Sequence, residues 1–342
     1  MNGPQIAWLA DGRRLHMNHG PIDLIVEAFG AEGERQAAYR QAADRFATIL
    51  QELVDELADL RRPATRSPRT FTGATARRME TAAVRHAGTF VTPMAAVAGA
   101  VADEVLAAMV EGRALDRAYV NDGGDIALFL AEGAEMRVGI GGKGDDFADK
   151  ITVRNRDRVR GVATSGWRGR SHSLGIADAV TVLARDAASA DIAATLIANA
   201  VDLPGHPGVT RVPARALSPD SDLGERLVTT AVGRLDTDEI SGALERGLVV
   251  TEDFRRRGLI AAAALFLAGE ARVVGMPILM RLAATPPPVG ARRPPPLTPP
   301  HKGEGDPEPP CRIAALDCSE RTPATPSPLG GGVGVLPRAV AI

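Results

Sequence analysis

Proline and glycine become dense after residue 284, and this change limits how much of the chain can fold into a packed domain. Residues 285–342 contain runs such as TPPPVG, RRPPPLTPP and LGGGVGV. Proline fixes φ and lacks a backbone N–H group, so this density disfavours regular helices and strands. We therefore expect a single folded domain over 1–283 and a disordered tail over 284–342. A Pro-rich ligand segment is the functional alternative for the tail, and read-through sequence without function is the simpler one.

Within 1–283, helical and strand-like periodicities follow one another. Helical spacing of apolar residues predicts helices over 34–60, 74–86, 94–110, 191–201 and 235–246. Strand-like runs occupy 22–29, 117–130 around a Gly-rich turn, 136–140, 151–154, 159–164, 178–184, 259–267 and 270–274. The strands come in hairpin-like succession rather than in strict alternation with helices. This order predicts an α+β fold with antiparallel sheets covered by helices, rather than a doubly wound parallel sheet.

Composition narrows the function classes. The net charge is −2 and aromatic residues make up 4% of the chain, so neither a basic stripe nor a base-stacking platform is expected, and we predict no nucleic-acid partner. Both cysteines, Cys311 and Cys318, lie in the tail, which leaves the body without a thiol nucleophile or a Cys-type metal site. No apolar run is long enough for a signal peptide or a membrane span, so we expect a cytoplasmic location and no membrane contact. The abundance of Ala, Arg and Gly is typical of a high-GC bacterial genome.

A glycine turn and a small-residue helix are the first two candidate site segments. VNDGGDIAL (120–128) places Gly123 and Gly124 between strands, where positive φ would expose N–H groups to a ribose or phosphate. A plain hairpin turn is the alternative. In VTPMAAVAGAVADEVL (91–106), Thr92 is a candidate N-cap and Pro93 a first helical residue. The small residues that follow suit close approach by a ligand, by a packed core, or by a second copy in a homo-oligomer.

Two later segments carry polar groups that could serve chemistry. TSGWRGRSH (164–172) brings hydroxyl groups, arginines and His172 together, as either an ordinary surface loop or an anion-binding segment. In SADIAATLIANAV (189–201), Asp191 and Thr195 are four residues apart, so they share one face of a helix. Two oxygen donors on one face could hold Mg²⁺ or Ca²⁺. The simpler explanation is an acidic residue near a helix N-terminus beside an incidental threonine.

Taken in order, the four segments resemble the ApbE superfamily, the flavin transferases that use FAD. The matching stretches are AAVAGAVAD (95–103), NDGGD (121–125), TSGWRGRSH (164–172) and ADIAATL (190–196). The resemblance implies an α+β fold and one flavin–metal site. It implies metal ligation by Asp191 and Thr195, and proton transfer or pyrophosphate contact by His172. It also implies cofactor binding by Asp103, Asn121, Gly123, Gly124, Asp125, Thr164, Ser165 and Gly166.

The chain departs from the superfamily pattern in three ways. Ala98 stands where the pattern has a lysine, Met94 and Ala95 stand where it begins with a glycine pair, and SHSLGIADAV lacks the D-P-x-T-G that follows its histidine. The closest fit is therefore a poorly characterised prokaryotic branch rather than a true protein flavinyltransferase. Two hypotheses follow: an enzyme that binds FAD or a related flavin with Mg²⁺, or a non-catalytic module that binds a flavin or another anionic small molecule. A different reaction on the same fold is a third.

Overall fold

The structure is a computed structural model that describes residues 3–140 and 149–275. The predicted tail over 284–342 lies outside the described residues, so the domain boundary near residue 284 remains a prediction.

Thirteen strands are present in the described ranges. Numbered along the chain, they are β1 (Gln5–Trp8), β2 (Leu15–His19), β3 (Ile22–Gly30), β4 (Leu115–Asp122), β5 (Asp125–Leu130), β6 (Glu135–Ile140), β7 (Asp149–Arg154), β8 (Gly161–Ser165), β9 (Ala179–Ala184), β10 (Val209–Pro213), β11 (Leu227–Val232), β12 (Ala262–Leu267) and β13 (Glu270–Val274). Nine of them form one sheet in the order β1-β2-β3-β4-β5-β8-β9-β12-β13, while β6 pairs with β7 and β10 with β11. Each of these described pairs is antiparallel. The predicted α+β fold is therefore confirmed.

Helices fill the connections between the strands. They are α1 (Glu32–Asp55), α2 (Leu57–Leu60), α3 (Ala74–Ala83), α4 (Val97–Val110), α5 (Ala187–Ala200), α6 (Ala214–Leu217) and α7 (Thr237–Arg256). The predicted helix over 34–60 ends early at Asp55, and α2 continues after a break at Glu56. The other predicted helices are present with shifted ends. The first turn of α7 is set by a reciprocal bond pair, in which the Glu239 N–H donates to Asp236 and the Asp236 N–H donates to Glu239.

The chain enters α4 through a short 3₁₀ turn, Pro93–Ala96, with Thr92 at the position before it. Pro93 is the first residue of that turn, as predicted. The Thr92 hydroxyl does not cap the turn, however, and instead donates to the Asp222 carboxylate. Thr92 therefore has the predicted N-cap position, but its side chain makes no cap hydrogen bond. The hydroxyl group is bonded to Asp222, a residue distant in the chain, instead.

The sheet separates two apolar cores. Helices cover one face, where Ala118 and Val120 of β4 are fully buried. The β6–β7 hairpin covers the other face, where Tyr119 of β4 packs with Val138 and Ile151. Because side chains alternate along a strand, Asp122 continues the helical face and Asn121 the hairpin face. The end of β4 therefore directs polar groups to both sides of the sheet.

One helical stretch within the described ranges, Pro93–Val110, is long and apolar enough to cross a membrane by length and composition alone. Half of this stretch is buried inside the protein. A core helix of a globular protein meets the same criterion, so the stretch is weak evidence for a membrane span. The expectation of no membrane contact remains a prediction.

Candidate functional site

The N-terminus of α5 is tied down by two carboxylates. Asp186 is its N-cap and accepts a hydrogen bond from the Ser189 N–H at 2.7 Å. Asp103, from the middle of α4, accepts from the Ala187 N–H at 3.0 Å and the Ala188 N–H at 2.9 Å. Burial raises the pKa of Asp103 to about 7, although these two N–H donors act in the opposite direction. Asp103 thus fastens α4 to α5, a structural role that its predicted place among the cofactor-binding residues did not include.

Asp191 lies one turn further along α5 and faces the start of α4. Its Oδ2 accepts a hydrogen bond from the Gly99 N–H at 3.0 Å, and the Ala98 N–H also donates to its carboxylate. The two helices approach closely here, because a Cβ built on Gly99 would lie 2.3 Å from the Ala187 carbonyl oxygen. Thr195 follows Asp191 by four residues on α5, and both are partly exposed. The predicted metal pair therefore shares one helix face as expected.

The glycine turn joins β4 to β5 as predicted. Gly123 and Gly124 have φ values of 60° and 114°, and the Gly124 N–H donates to Asn121 Oδ1 at 2.9 Å. Asp122 and Asp125 are cross-strand partners at the base of the turn. The turn therefore needs glycine at both positions and aligns two carboxylates at its base.

The charges of three carboxylates, two at the base of this turn and one on α5, act on one another. Burial, followed by the negative charge of Asp125, raises the pKa of both Asp122 and Asp191 well above the ordinary range. Asp122 also adds to the effect at Asp191. The structure thus brings the predicted metal helix and the predicted nucleotide turn together. Sequence reasoning missed Asp122. Because Asp122 follows the buried Val120 by two residues on β4, the strand period could have placed both side chains on the same face of the sheet.

Arg170, in the segment that follows β8, contacts the β4–β5 turn at Gly123. A Cβ built on Gly123 would lie 1.7 Å from Arg170 Nη2, so the guanidinium group rests on the bare backbone of the glycine. The positive charge of Arg170 lowers the pKa of Asp122, against the larger effect of burial. Arg170 was recognised as a cation in the sequence but not as a site residue, because no local pattern shows that it reaches a turn 47 positions earlier.

The remaining predicted residues of this segment are placed differently. The Thr164 hydroxyl shares a 2.8 Å hydrogen bond with Thr181 inside the sheet, and Ser165 ends β8 in a partly exposed position. Gly166 permits close packing, since a Cβ there would lie 2.5 Å from the Asp178 carbonyl oxygen. These contacts give Thr164 and Gly166 a role in holding the loop.

His172 points toward a different part of the chain. Its Nε2 lies 3.1 Å from Ser218 Oγ, at the end of α6. A proton can be shared across this contact, and its direction depends on the imidazole tautomer. The hydrogen bond of His172 therefore leads to Ser218 and not to Asp191 or Gly123.

Metal coordination by side chains alone is limited. Within 3–140 and 149–275, no group of three or more His, Cys, Asp or Glu residues is arranged to hold a metal ion. The predicted Mg²⁺ site thus rests on Asp191 and Thr195 and stays a prediction. Mg²⁺ is commonly held by one or two carboxylates together with substrate phosphates and water.

Comparison with known proteins identifies one matching family and two similar relatives. Residues 6–273 match the model of a family described as "AbpE bacteria". A "UPF0280 protein" from Methanothrix thermoacetophila is 38% identical over 156 residues, which are 45% of this chain and 56% of that protein. Another "UPF0280 protein", from Methanoregula boonei, is 35% identical over 152 residues, or 43% of this chain and 62% of that protein. The matched stretch spans less than two thirds of each relative.

Two solved structures are similar in outline. A flavin transferase ApbE variant from Vibrio cholerae has a TM-score of 0.42 at 11% identity, covering 78% of this chain and 98% of that chain. The apo form of the Pseudomonas stutzeri flavinyl transferase ApbE has a TM-score of 0.43 at 13% identity, covering 83% and 99%. These values are too low to carry an argument about activity.

Proposed function

Since the chain belongs to the family described as "AbpE bacteria", we propose that it binds FAD or a related flavin nucleotide together with Mg²⁺. We further propose that it breaks the pyrophosphate bond of FAD, so that the FMN phosphoryl group passes to the oxygen of water or of an acceptor hydroxyl group and AMP leaves. The observation that carries the proposal is the junction of α5, the start of α4 and the β4–β5 turn. There the charge of Asp125 acts on both Asp191 and Asp122, and Arg170 rests on Gly123.

The chemistry of this junction suits a hard cation. Carboxylates gathered in a buried place repel one another, and the raised pKa values of Asp122 and Asp191 report that repulsion together with burial. A divalent cation removes this penalty by stabilising the ionised forms. The donors are oxygens, which Mg²⁺ prefers. The residues present therefore fit a magnesium ion, held by Asp191 and Thr195.

Magnesium, when bound, would neutralise the charge on phosphate oxygens. The residues of this chain would orient the metal ligand and bind the nucleotide. The Gly99 N–H orients Asp191 through their 3.0 Å hydrogen bond. The turn at Gly123 and Gly124 lets the backbone approach a nucleotide closely, and Arg170 supplies a planar guanidinium group that can pair with a phosphate.

His172 is the candidate for proton transfer in this scheme. An imidazole is well suited to accept or donate a proton near neutral pH. Because His172 Nε2 is paired with Ser218, that contact has to open before the ring can serve a substrate. The geometry supports His172 less strongly than it supports Asp191.

A second candidate function is a flavin-binding module without catalysis. Ala98 lies beside Asp191 where the superfamily pattern has lysine, so this position offers a backbone N–H but no side-chain cation. The two functions share the nucleotide site and differ in whether a phosphate bond is broken.

The test uses the full chain and FAD, with and without Mg²⁺. Binding is measured by calorimetry and AMP release by chromatography, for the wild type, Asp191→Asn, and Asp238→Asn as an exposed helical control. Transfer predicts Mg²⁺-dependent binding and AMP release that Asp191→Asn abolishes and Asp238→Asn retains. Binding without AMP release would favour the module. If the wild type binds no FAD under either condition, both functions are refuted.

A further inference from the structure

A pocket lies beside the start of α5. It has a volume of about 360 Å³ and is formed where α3 meets α4 and the start of α5. Arginines and carboxylates dominate its lining: Arg77, Arg78, Arg185, Asp103, Glu104 and Asp186. Asp191, Gly123 and Arg170 lie outside this lining. We call it the arginine pocket.

Two of its carboxylates hold the start of α5. Both oxygens of Asp103 accept hydrogen bonds, one from the Ala187 N–H and one from the Ala188 N–H. Asp186 Oδ1 accepts from the Ser189 N–H. The first N–H groups of α5 therefore already donate to protein carboxylates. A ligand in the pocket would not bind to the N-terminus of this helix.

The third carboxylate is occupied as well. Glu104 Oε1 accepts from Arg45 Nε at 2.9 Å, and its Oε2 accepts from Arg78 Nε at 2.8 Å. Asp186 Oδ2 in turn accepts from Arg185 Nε at 3.0 Å. Each carboxylate of the pocket has both oxygens engaged.

Donors, by contrast, remain in excess. Arg78 and Arg185 each use only Nε in these bonds, and Arg77 uses only Nη1, toward two backbone carbonyl groups. Among the described residues, the terminal nitrogens of Arg78 and Arg185 and the Nη2 of Arg77 have no hydrogen-bond partner. Their guanidinium groups line one cavity, so a ligand that accepts several hydrogen bonds at once is the complementary one.

We propose that the arginine pocket binds a small molecule through a phosphate group. Guanidinium forks match the oxygens of a phosphate in geometry and charge, and Arg is favoured where such planar pairing matters. The volume of about 360 Å³ falls in the range of small-molecule sites, so it accommodates more than a bare ion. The site is distinct from the proposed flavin site, because its lining includes none of Asp122, Gly123, Arg170 and Asp191.

The test measures binding of inorganic phosphate to the full chain by calorimetry in a chloride buffer of low ionic strength, with succinate as a second probe. Arg185→Gln is the main variant, because Arg185 is 53% exposed and its loss leaves the Asp186 cap intact. Arg77→Gln is the second variant, and Arg255→Gln, an exposed residue of α7, is the matched control. Arg170→Gln reports binding at the flavin site.

We expect saturable phosphate binding that weakens at least tenfold in Arg185→Gln and in Arg77→Gln, with little change in Arg255→Gln. In Arg170→Gln, which removes the guanidinium group of the proposed flavin site, the binding that depends on Arg185 and Arg77 should remain. Arg185→Lys keeps the charge but loses the fork, so its affinity should fall between those of wild type and Arg185→Gln. Unchanged binding in Arg185→Gln and Arg77→Gln would overturn the proposal. So would binding lost only in Arg170→Gln, or succinate binding as tight as phosphate. Circular dichroism of each variant confirms that it is folded.

Discussion

Replacing Gly99 with alanine tests the contact that holds α4 against α5. The added Cβ would lie 2.3 Å from the Ala187 carbonyl oxygen, whereas an ordinary contact begins at 3.4 Å. The two helices would therefore have to separate by about 1.1 Å at this point. The three nearest atoms all belong to the backbone of Ala187 and Ala188, which cannot rotate away as a flexible side chain would.

The magnitude follows from three contributions. Overpacking of this kind costs roughly 1–3 kcal/mol. Separating the helices also stretches the hydrogen bond from the Gly99 N–H to Asp191, and a bond to a charged group contributes about 1.5–3 kcal/mol. Alanine offsets about 1 kcal/mol through its better helix propensity. We expect Gly99→Ala to lower the free energy of unfolding by about 1.5–5 kcal/mol, the sum of these ranges.

Gly242→Ala is the matched control. Gly242 also lies inside a helix, α7, but a Cβ there meets nothing within 4 Å. Only the propensity gain remains, so this variant should be stabilised by about 0.5–1 kcal/mol. Urea unfolding followed by circular dichroism compares the midpoints, with the slope checked for constancy. Gly99→Ala unfolding at the same urea concentration as Gly242→Ala, or higher, would refute the close-contact argument.

Two further predictions follow. Burial raises the pKa of Asp103 from its ordinary 3.8 to about 7. The folded chain therefore binds the carboxyl proton of Asp103 more tightly than the unfolded chain does. As a result, the free energy of unfolding should fall as pH rises from about 4 to above 7. Asp103→Asn should remove that part of the pH dependence in denaturation curves, and equal slopes in both proteins would contradict the assignment. Gly123→Ala should displace Arg170 and weaken FAD binding, whereas Gly133→Ala, with a similar positive φ of 76° and no neighbour within 4 Å, should not. Equal affinities of these two variants would show that Arg170 does not assist the ligand.

Most elements with a strong apolar period were predictable from sequence, although β2, which alternates buried and half-buried residues, was missed. β3 alternates buried and half-buried residues, and its predicted span of 22–29 differs from the observed one by a single residue. All four residues of β1 are exposed, and β10 contains no fully buried residue. Such strands are held by backbone pairing at a sheet edge or in a small hairpin, which leaves little hydrophobic pattern to detect.

In the candidate site, features set by neighbouring residues were predictable from the sequence, and contacts between distant residues were not. The spacing of Asp191 and Thr195 and the glycine pair of the turn were visible, because each depends on neighbours in sequence. The contact of Arg170 with Gly123 and the cap that Asp103 places on α5 join residues far apart in the chain. Neither has a local signature, so both required the folded structure.

The opposite orientation of Asn121 and Asp122 on β4 limits how this protein can change in evolution. Deleting one residue from β4 would exchange the faces of every side chain beyond the deletion, moving a carboxylate out of the helical layer and an amide into it. Substitutions along β4 can be absorbed one at a time, but a length change there removes the binding junction in a single step. Insertions and deletions among descendants of this chain should therefore collect in the exposed turns, such as the one around Gly133, and spare β4.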